Sequence, residues 1–259
     1  MWKTILHRSL VPILFVSVAG CAALLFTIKE NNKSIARKEA VRAAERAAAI
    51  EAERIKAEEE AKKAKAEEEA RKRLLNIKIS SHDAVFKSVG KEHNIDWRLL
   101  AALAKTESGF RSDAVSRSGA VGIMQIMPAV GKSLGYSRSQ LFDIRTSVDL
   151  AAKVLHKNRD MLRLPEGIDK TEELSFILAC YNAGYGRVSD ARSLARHLGL
   201  NANAWSDVSS CLKKLSDPQY AKLKVVKLGI FRGSKETVGH VSKVLSIYNQ
   251  YCNGNTSNM

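Results

Sequence analysis

Three short segments of this chain together contain the residue types that cleavage of a glycosidic bond requires. The first is Glu107 with Ser108, the second is the segment 122–128 (GIMQIMP), and the third is Tyr181 with Asn182. Cleaving such a bond needs an acid that protonates the leaving oxygen and polar groups that hold the sugar in place. One carboxyl group followed by polar side chains therefore predicts an enzyme that acts on a polymeric sugar.

The carboxyl group of Glu107 is predicted to lie near the end of a helix, in line with its apolar face. Asp96 is a suitable N-cap and Gly109 a suitable C-terminal stop. Leu100, Leu103 and Glu107 follow one another at helical spacing, which places the glutamate on the apolar stripe. Partial burial keeps a carboxyl group protonated near neutral pH, as a general acid requires. The alternative is a solvated or capping glutamate.

The three segments together resemble the signature motifs of the lytic murein transglycosylases, which are relatives of goose-type lysozyme. The motifs are Glu107-Ser108, residues 122–128 and residues 179–184 (ACYNAG). The C-terminal course is similar to the catalytic domain of the membrane-bound lytic murein transglycosylase F family, so that the resemblance covers residues 80 to 252. It continues through Asp190, Ala191, Arg192, Trp205, Pro218, Tyr220, Arg232, Gly233, Glu236, Thr237, Tyr248 and Tyr251.

The resemblance implies a mechanism with a single carboxyl group, that of Glu107. Glu107 would protonate the oxygen between N-acetylmuramic acid and N-acetylglucosamine, and would then take the proton of the muramoyl C6 hydroxyl as a 1,6-anhydro ring closes. The resemblance also implies that Ser108 orients Glu107 or contacts the substrate. Four further side chains would line the cleft, namely Gln125, Met127, Tyr181 and Asn182. No metal and no cofactor is expected.

Each of these assignments has a structural alternative. Met124 and Met127 could fill the core, Tyr181 could be a core aromatic residue with a satisfied hydroxyl, and Asn182 could simply end its helix. His240 stands where the family often has tyrosine, so the role of that tyrosine is not carried over to this chain. We expect His240 to pack or cap locally rather than to titrate in catalysis.

The composition favours an all-α protein with one globular core. The chain has 259 residues, 4 prolines and long Ala/Lys/Glu-rich stretches, with a formal net charge of +15. A basic surface attracts any polyanion, but zinc-like Cys/His spacing, phosphate loops and RNA-binding aromatic motifs are missing from the sequence, so we expect no nucleic-acid partner. Peptidoglycan strands fit better. Cys211 and Cys252 either pair in an oxidising compartment or remain small buried thiols.

The N-terminal segment is predicted to attach the chain to a membrane. Residues 10–28 form an apolar run long enough to cross a bilayer as a helix. Residues 18–21 (VAGC) also resemble a lipobox, in which case Cys21 would carry a lipid. The apolar run continues past Cys21, which favours an uncleaved single-pass anchor at the cell membrane with a periplasmic catalytic domain.

A charged segment separates this anchor from the globular part. Residues 33–75 consist mostly of Ala, Glu, Lys and Arg, with acidic residues four positions before basic ones. We predict a solvated helical stalk of about 65 Å at about 1.5 Å per residue, and the alternative is a partly disordered linker. The domains are thus an anchor at 1–32, a stalk at 33–76, a lysozyme-like helical catalytic domain at 80–252 and a polar tail at 253–259.

The leading functional hypothesis is a membrane-tethered lytic transglycosylase that cuts peptidoglycan, with cell-wall or secretion-machinery proteins as further partners. The solute-binding module of transglycosylase F has no counterpart in this sequence. One alternative is a goose-type muramidase, for which Asp113 is a weak candidate for the second acid. Another is a non-catalytic scaffold that binds the wall and does not need Glu107.

Overall fold

The computed structural model describes the backbone of residues 10–75 and 77–254, and the side chains of residues 20–69 and 77–254. The chain divides into two compact units, Met1–Arg71 and Lys72–Met259. The described part consists of helices, turns and two isolated β-bridges, with no extended strand. The prediction of an all-α protein is therefore confirmed.

The first unit contains most of helix α1, which runs from Leu10 to Leu75. Its described side chains from residue 20 to residue 69 are all exposed, including those of the apolar residues Leu24, Leu25 and Phe26. Exposed ion pairs along it include Glu51 with Arg54 at 3.1 Å and Arg54 with Glu58 at 3.4 Å. Such pairs add only about 0.3–0.5 kcal/mol each.

The predicted membrane span at residues 10–28 falls partly outside the described side chains, which begin at residue 20. Within the part of the chain that the structure describes, no helix is both long enough and apolar enough to span a bilayer.

The second unit contains nine α-helices and one 3-10 helix within residues 77–254. The helices are α2 (Asp83–Glu92), α3 (Trp97–Ser108), α4 (Pro128–Ser133), α5 (Ile144–Leu162), α6 (Lys170–Ala183), α7 (Tyr185–His197), α8 (Trp205–Lys214), α9 (Pro218–Ala221) and α10 (Ser234–Cys252), with the 3-10 helix at Ser139–Phe142. Helices α5, α6 and α10 each have a buried apolar face, with Leu150 and Leu155 on α5, Leu174 and Leu178 on α6, and Val241 and Val244 on α10.

The ends of α3 lie where the sequence predicts them, because both caps are local. The carboxylate of Asp96 accepts a hydrogen bond from the backbone N–H of Arg98 at 3.0 Å. Gly109 has a left-handed backbone with φ of 63°, which a glycine adopts without steric cost. Pro128 begins α4, where its missing N–H and fixed φ are tolerated.

Helix α10 packs against both α3 and α6, and side-chain contacts fix its direction relative to them. At one end, Glu107 of α3 and Asn182 of α6 contact residues near the start of α10. At the other end, the hydroxyl of Tyr248 on α10 donates to the Asp96 carboxylate at 3.0 Å. Helix α10 is therefore antiparallel to α3, and the C-terminal ends of α3 and α6 meet beside its N-terminal half.

The four cysteines are free, so Cys211 and Cys252 are not paired in this structure. Cys211 is buried within α8 and Cys252 is half-buried at the end of α10. Burial raises the pKa of both thiols, which favours the uncharged form. Of the two possibilities that the sequence leaves open, the structure shows the unpaired thiols.

Candidate active site

Glu107 forms a hydrogen-bonded pair with His240. Oε1 of Glu107 lies 2.9 Å from Nε2 of His240, and the side chains are only 15% and 8% exposed. The carboxyl group is thus partly buried, as its place on the apolar stripe of α3 predicts. The hydrogen bond of the His240 ring is not local to α10, because it reaches Glu107 on α3.

A loop at residues 122–127 lies against the C-terminal end of α3. The hydroxyl of Ser108, the residue after Glu107, donates to the backbone carbonyl of Ile123 at 2.8 Å. Ser108 is 5% exposed, so its side chain faces the interior. Of the two roles implied by the resemblance, this burial favours orientation of the neighbouring site over contact with the substrate.

The same loop is held from α6 by Tyr181, whose hydroxyl donates to the backbone carbonyl of Met124 at 2.8 Å. Burial, with a smaller contribution from the negative charge of Glu107, raises the pKa of Tyr181 well above its ordinary value. The phenol is therefore uncharged, and it lies close enough to Glu107 for the two groups to influence each other.

The backbone of the loop is unusual at two positions. Gly122 has φ of 78°, and a Cβ atom there would lie 2.1 Å from the carbonyl oxygen of Leu141. Gln125 has φ of 48°, and its side-chain amide donates to the carbonyls of Gly122 at 3.0 Å and Ala114 at 3.2 Å. The Gln125 amide N–H groups therefore stabilise the loop.

The two methionines of the loop have different environments. Met124 is fully buried in the core, whereas Met127 is 41% exposed at the residue before α4. Met124 thus matches the core-filling alternative, and Met127 does not. An exposed thioether can contact the apolar face of a sugar.

Asn182 is linked to α10 by a side-chain contact. The hydroxyl of Thr237 donates to Oδ1 of Asn182 at 2.8 Å and also approaches the Gly233 carbonyl at 3.1 Å. Thr237 precedes His240 by one helical turn, so the two side chains share a face of α10. Thr237 lies within the family-like sequence of α10, but the sequence gives no sign of this contact.

The structure brings the predicted residues to one region. Ser108 and Tyr181 fix the loop that carries Gln125 and Met127, and Asn182 lies at the end of α6 next to Tyr181. Sequence reasoning missed the contact made by His240. The signal that could have found it is helical spacing, because His240 follows buried Thr237 by three residues and precedes buried Val244 by four.

Asp113, the weak candidate for a second acid, is an exposed residue of the segment between α3 and the loop. No group of three or more metal-ligating side chains occurs in the described residues. A cavity of about 170 Å³ lies at the opposite end of α3, where Asp96, Leu99 and Tyr248 are among its lining residues. This cavity is separate from Glu107.

Part of this chain is similar to a known domain family and to several named proteins. Residues 84–203 match the family described as Transglycosylase SLT domain. A relative from Stutzerimonas stutzeri (strain A1501), named Membrane-bound lytic murein transglycosylase F, is 34% identical over 175 residues, which are 67% of this chain and 34% of the relative. A relative of the same name from Shewanella halifaxensis (strain HAW-EB4) is 36% identical over 176 residues, 68% of this chain and 35% of the relative.

This chain therefore spans about a third of the length of these curated relatives. Among solved structures, an inactive mutant of lytic transglycosylase Slt from Pseudomonas aeruginosa matches with a TM-score of 0.47 and 24% identity, covering 67% of this chain and 25% of that chain. The soluble lytic transglycosylase of Escherichia coli matches with a TM-score of 0.44 and 24% identity, covering 70% of this chain and 26% of that chain.

Proposed function

We propose that this chain is a lytic transglycosylase of peptidoglycan, because residues 84–203 match the family described as Transglycosylase SLT domain. The bond cleaved is the β-1,4 linkage between N-acetylmuramic acid and N-acetylglucosamine. The observation that carries the proposal is the buried Glu107–His240 pair at 2.9 Å, beside a loop fixed by Ser108 and Tyr181. This arrangement holds one carboxyl group in a defined position at the end of α3, and the loop that lies against this end carries the exposed Met127.

In the first step, protonated Glu107 donates its proton to the glycosidic oxygen as the bond to C1 of the muramoyl residue breaks. Positive charge develops on the sugar ring, and the carboxyl group becomes a carboxylate. In the second step, the muramoyl C6 hydroxyl attacks C1 while Glu107 takes the hydroxyl proton back. The product carries a 1,6-anhydro ring, water does not enter, and Glu107 is restored.

The location of the attacking hydroxyl explains why one carboxyl group suffices. An intramolecular nucleophile needs no activated water, so a second acid or base is unnecessary. Asp113 is exposed, which gives it no special environment for acid–base chemistry. The geometry therefore supports transglycosylation over hydrolysis of the two-carboxylate type.

For the surrounding residues we propose two kinds of role. Met127, Tyr181 and Asn182 line the cleft and contact sugar, which fits the exposure of Met127 and the half-buried positions of the other two. Ser108 and Gln125 act mainly on the loop, because their hydroxyl and amide groups donate to backbone carbonyls. Gln125 remains half-buried and can contact substrate through its remaining polar atom.

We also propose that the chain is attached to the cell membrane, with the SLT domain in the periplasm. The relatives are named membrane-bound enzymes. Residues 10–28 would be the anchor, residues 33–76 a charged helical stalk, residues 80–252 the catalytic domain and residues 253–259 a tail. A lipid on Cys21 is the competing form of attachment, and mass spectrometry of the mature N-terminus distinguishes the two.

The experiment that tests the function compares the full chain with Glu107→Gln on purified peptidoglycan. Gln keeps the size of the side chain and removes the acid, so release of soluble glycan should fall to background while sedimentation with insoluble peptidoglycan is retained. Glu166→Gln, at an exposed loop position, is the matched control and should cleave normally. Normal cleavage by Glu107→Gln would show that this carboxyl group is not the catalyst, and release of reducing ends would instead identify a muramidase.

A further inference from the structure

We propose that His240 is a positioning residue that holds Glu107 through a neutral imidazole, and that protonation of this ring switches off cleavage. The proposal rests on the proposed function, because it concerns how Glu107 is used in both proton transfers. It starts from two observations on one side chain. His240 Nε2 lies 2.9 Å from Glu107 Oε1, and Nδ1 of the same ring is buried without a hydrogen-bond partner among the described residues.

The unpartnered Nδ1 indicates which protonation state and tautomer of the His240 ring is favoured. An N–H group at this buried position would lack an acceptor, which is costly, and an imidazolium ion would need N–H groups on both nitrogens. The ring is only 8% exposed, so water gives a positive charge little stabilisation. The favoured form is the neutral tautomer with its proton on Nε2, which donates to Oε1 of Glu107.

This tautomer suits both steps of the reaction. The Nε2–H bond to Oε1 leaves the second carboxyl oxygen of Glu107 to carry the proton that moves to and from the sugar. When Glu107 becomes a carboxylate, the same bond becomes charge-assisted and stronger. His240 gives up no proton and gains none, so its part is to orient Glu107 and to stabilise the charge that appears after the first step.

Protonation of the ring would weaken the second step. An imidazolium ion hydrogen-bonded to the carboxylate stabilises the ionised form of Glu107, and the carboxylate is then a poorer base towards the C6 hydroxyl. Cleavage should therefore fall at acidic pH once the ring of His240 takes up a proton. A side chain at position 240 that donates a hydrogen bond but cannot become a cation would not show this loss.

Several ionisable groups on the helices that pack against α10 have partners other than His240, among them Glu172 and Glu173 of α6. On α6, the hydroxyl of Tyr181 donates to Met124. On α8, Asp207 accepts from the backbone N–H of Asn201 at 2.9 Å.

Two cations on these helices lie over aromatic rings. Lys105 of α3 lies over the ring of Phe110, and Lys214 of α8 lies over the ring of Tyr220. Lys213, also on α8, is exposed, and Asp96 and Arg98 pair with each other at the opposite end of α3. On α10 itself, Glu236 and Lys243 are exposed. Glu107 is therefore the charged group that is hydrogen-bonded to His240.

The test measures kcat and kcat/KM of the full chain on peptidoglycan from about pH 4.5 to about pH 9. The variants are His240→Gln, which keeps an N–H donor near the position of Nε2, and His240→Phe, which removes it. The control is His197→Gln on the exposed end of α7. We expect the wild type and the control to lose activity at the acid end, and His240→Gln to lose this acid limb while keeping activity at neutral pH within about tenfold.

His240→Phe should lower kcat by about 10- to 100-fold at every pH, since it removes a hydrogen bond to a charged group. An acid limb that persists unchanged in His240→Gln would overturn the proposal. Full activity of His240→Phe would do the same. Nitrogen NMR of the labelled wild type gives a readout that does not depend on turnover: a neutral ring protonated on Nε2 at neutral pH supports the proposal, and a proton on Nδ1 contradicts it.

Failure of the proposed function gives a different pattern. In that case, the wild type releases no anhydro ends at any pH, whereas failure of the histidine proposal leaves anhydro product formation intact and changes only the pH profile and the ring state.

Discussion

Replacing Ser108 with alanine tests whether the loop at residues 122–127 depends on a bond from α3. The Ser108 hydroxyl donates to the buried Ile123 carbonyl at 2.8 Å and also approaches the Ala104 carbonyl at 3.3 Å within its own helix. Alanine removes the hydroxyl and leaves the Ile123 carbonyl without this donor. The substitution changes no charge and leaves only a small space.

The expected loss of stability follows from the burial of the bond. Leaving a buried carbonyl without its partner costs about 1–3 kcal/mol, and the better helix propensity of alanine returns up to about 0.5 kcal/mol. The net loss should be about 1–2 kcal/mol. For a domain of about 150–250 residues this lowers Tm by about 2–8 °C.

Ser175→Ala is the matched control. Ser175 is 2% exposed, and its hydroxyl donates at 2.7 Å to the Thr171 carbonyl, which belongs to the same helix. Thermal unfolding of the full chain, followed by tryptophan fluorescence, should show a larger loss for Ser108→Ala than for Ser175→Ala. Ser108→Ala should also cleave peptidoglycan more slowly than the control does. Equal Tm values and equal cleavage rates for the two variants would refute the reasoning, because the bond to the loop would then contribute nothing beyond a local helix bond.

Two further predictions concern the loop backbone and the far end of α3. Gly122→Ala should cost at least about 2 kcal/mol, because a positive φ and a contact of 2.1 Å with the Leu141 carbonyl are both unfavourable; Gly119→Ala, with positive φ but open space, should cost less in the same denaturant titration. Equal costs would exclude the contact with Leu141 as the cause. Burial opposes ionisation of Asp96, but hydrogen bonds from a guanidinium and a backbone N–H outweigh it and lower its pKa. Its stabilising contribution is therefore fully present above the ordinary aspartate pKa of about 3.9 and is lost as pH falls through the lowered value. Asp96→Asn should be less stable than the wild type at neutral pH, and the difference should shrink in acid; a difference independent of pH would contradict this sign.

Local features of the fold could be predicted from the sequence because each depends on a few neighbouring residues. Asp96 and Gly109 cap α3 as their types suggest, and Pro128 begins α4. The apolar spacing within α3 likewise predicts the partial burial of Glu107. These are short-range effects of backbone geometry and amphipathic pattern, which a single sequence contains.

Contacts between distant residues could not be predicted in the same way. Glu107 and His240 are 133 positions apart, and Thr237 and Asn182 are 55 positions apart. Which ends of α3, α6 and α10 meet depends on how the whole core packs, and periodicity within one helix does not contain that information. The spacing of Thr237, His240 and Val244 could have shown that His240 faces inward, but not that it faces Glu107.

Which residues of the site are structural and which are free to bind substrate could also not be predicted without the fold. Met124 and Met127 have the same type and lie three positions apart, yet one is fully buried and the other is 41% exposed. The left-handed backbone at Gly122 and Gln125 turns the loop so that these side chains point to different environments. Residue type and spacing alone leave both alternatives open.

The chemical structure of the new glycan ends shows most directly whether the C6 hydroxyl or water attacks the muramoyl residue. Purified peptidoglycan is digested with the full chain in water labelled with heavy oxygen, and the released fragments are weighed by mass spectrometry. We expect muramoyl ends that are one water lighter than reducing ends and that contain no heavy oxygen. The Glu107→Gln variant should release no glycan fragments. Reducing ends that carry heavy oxygen would contradict the proposed mechanism, because they would show that water, not the C6 hydroxyl, attacks the sugar.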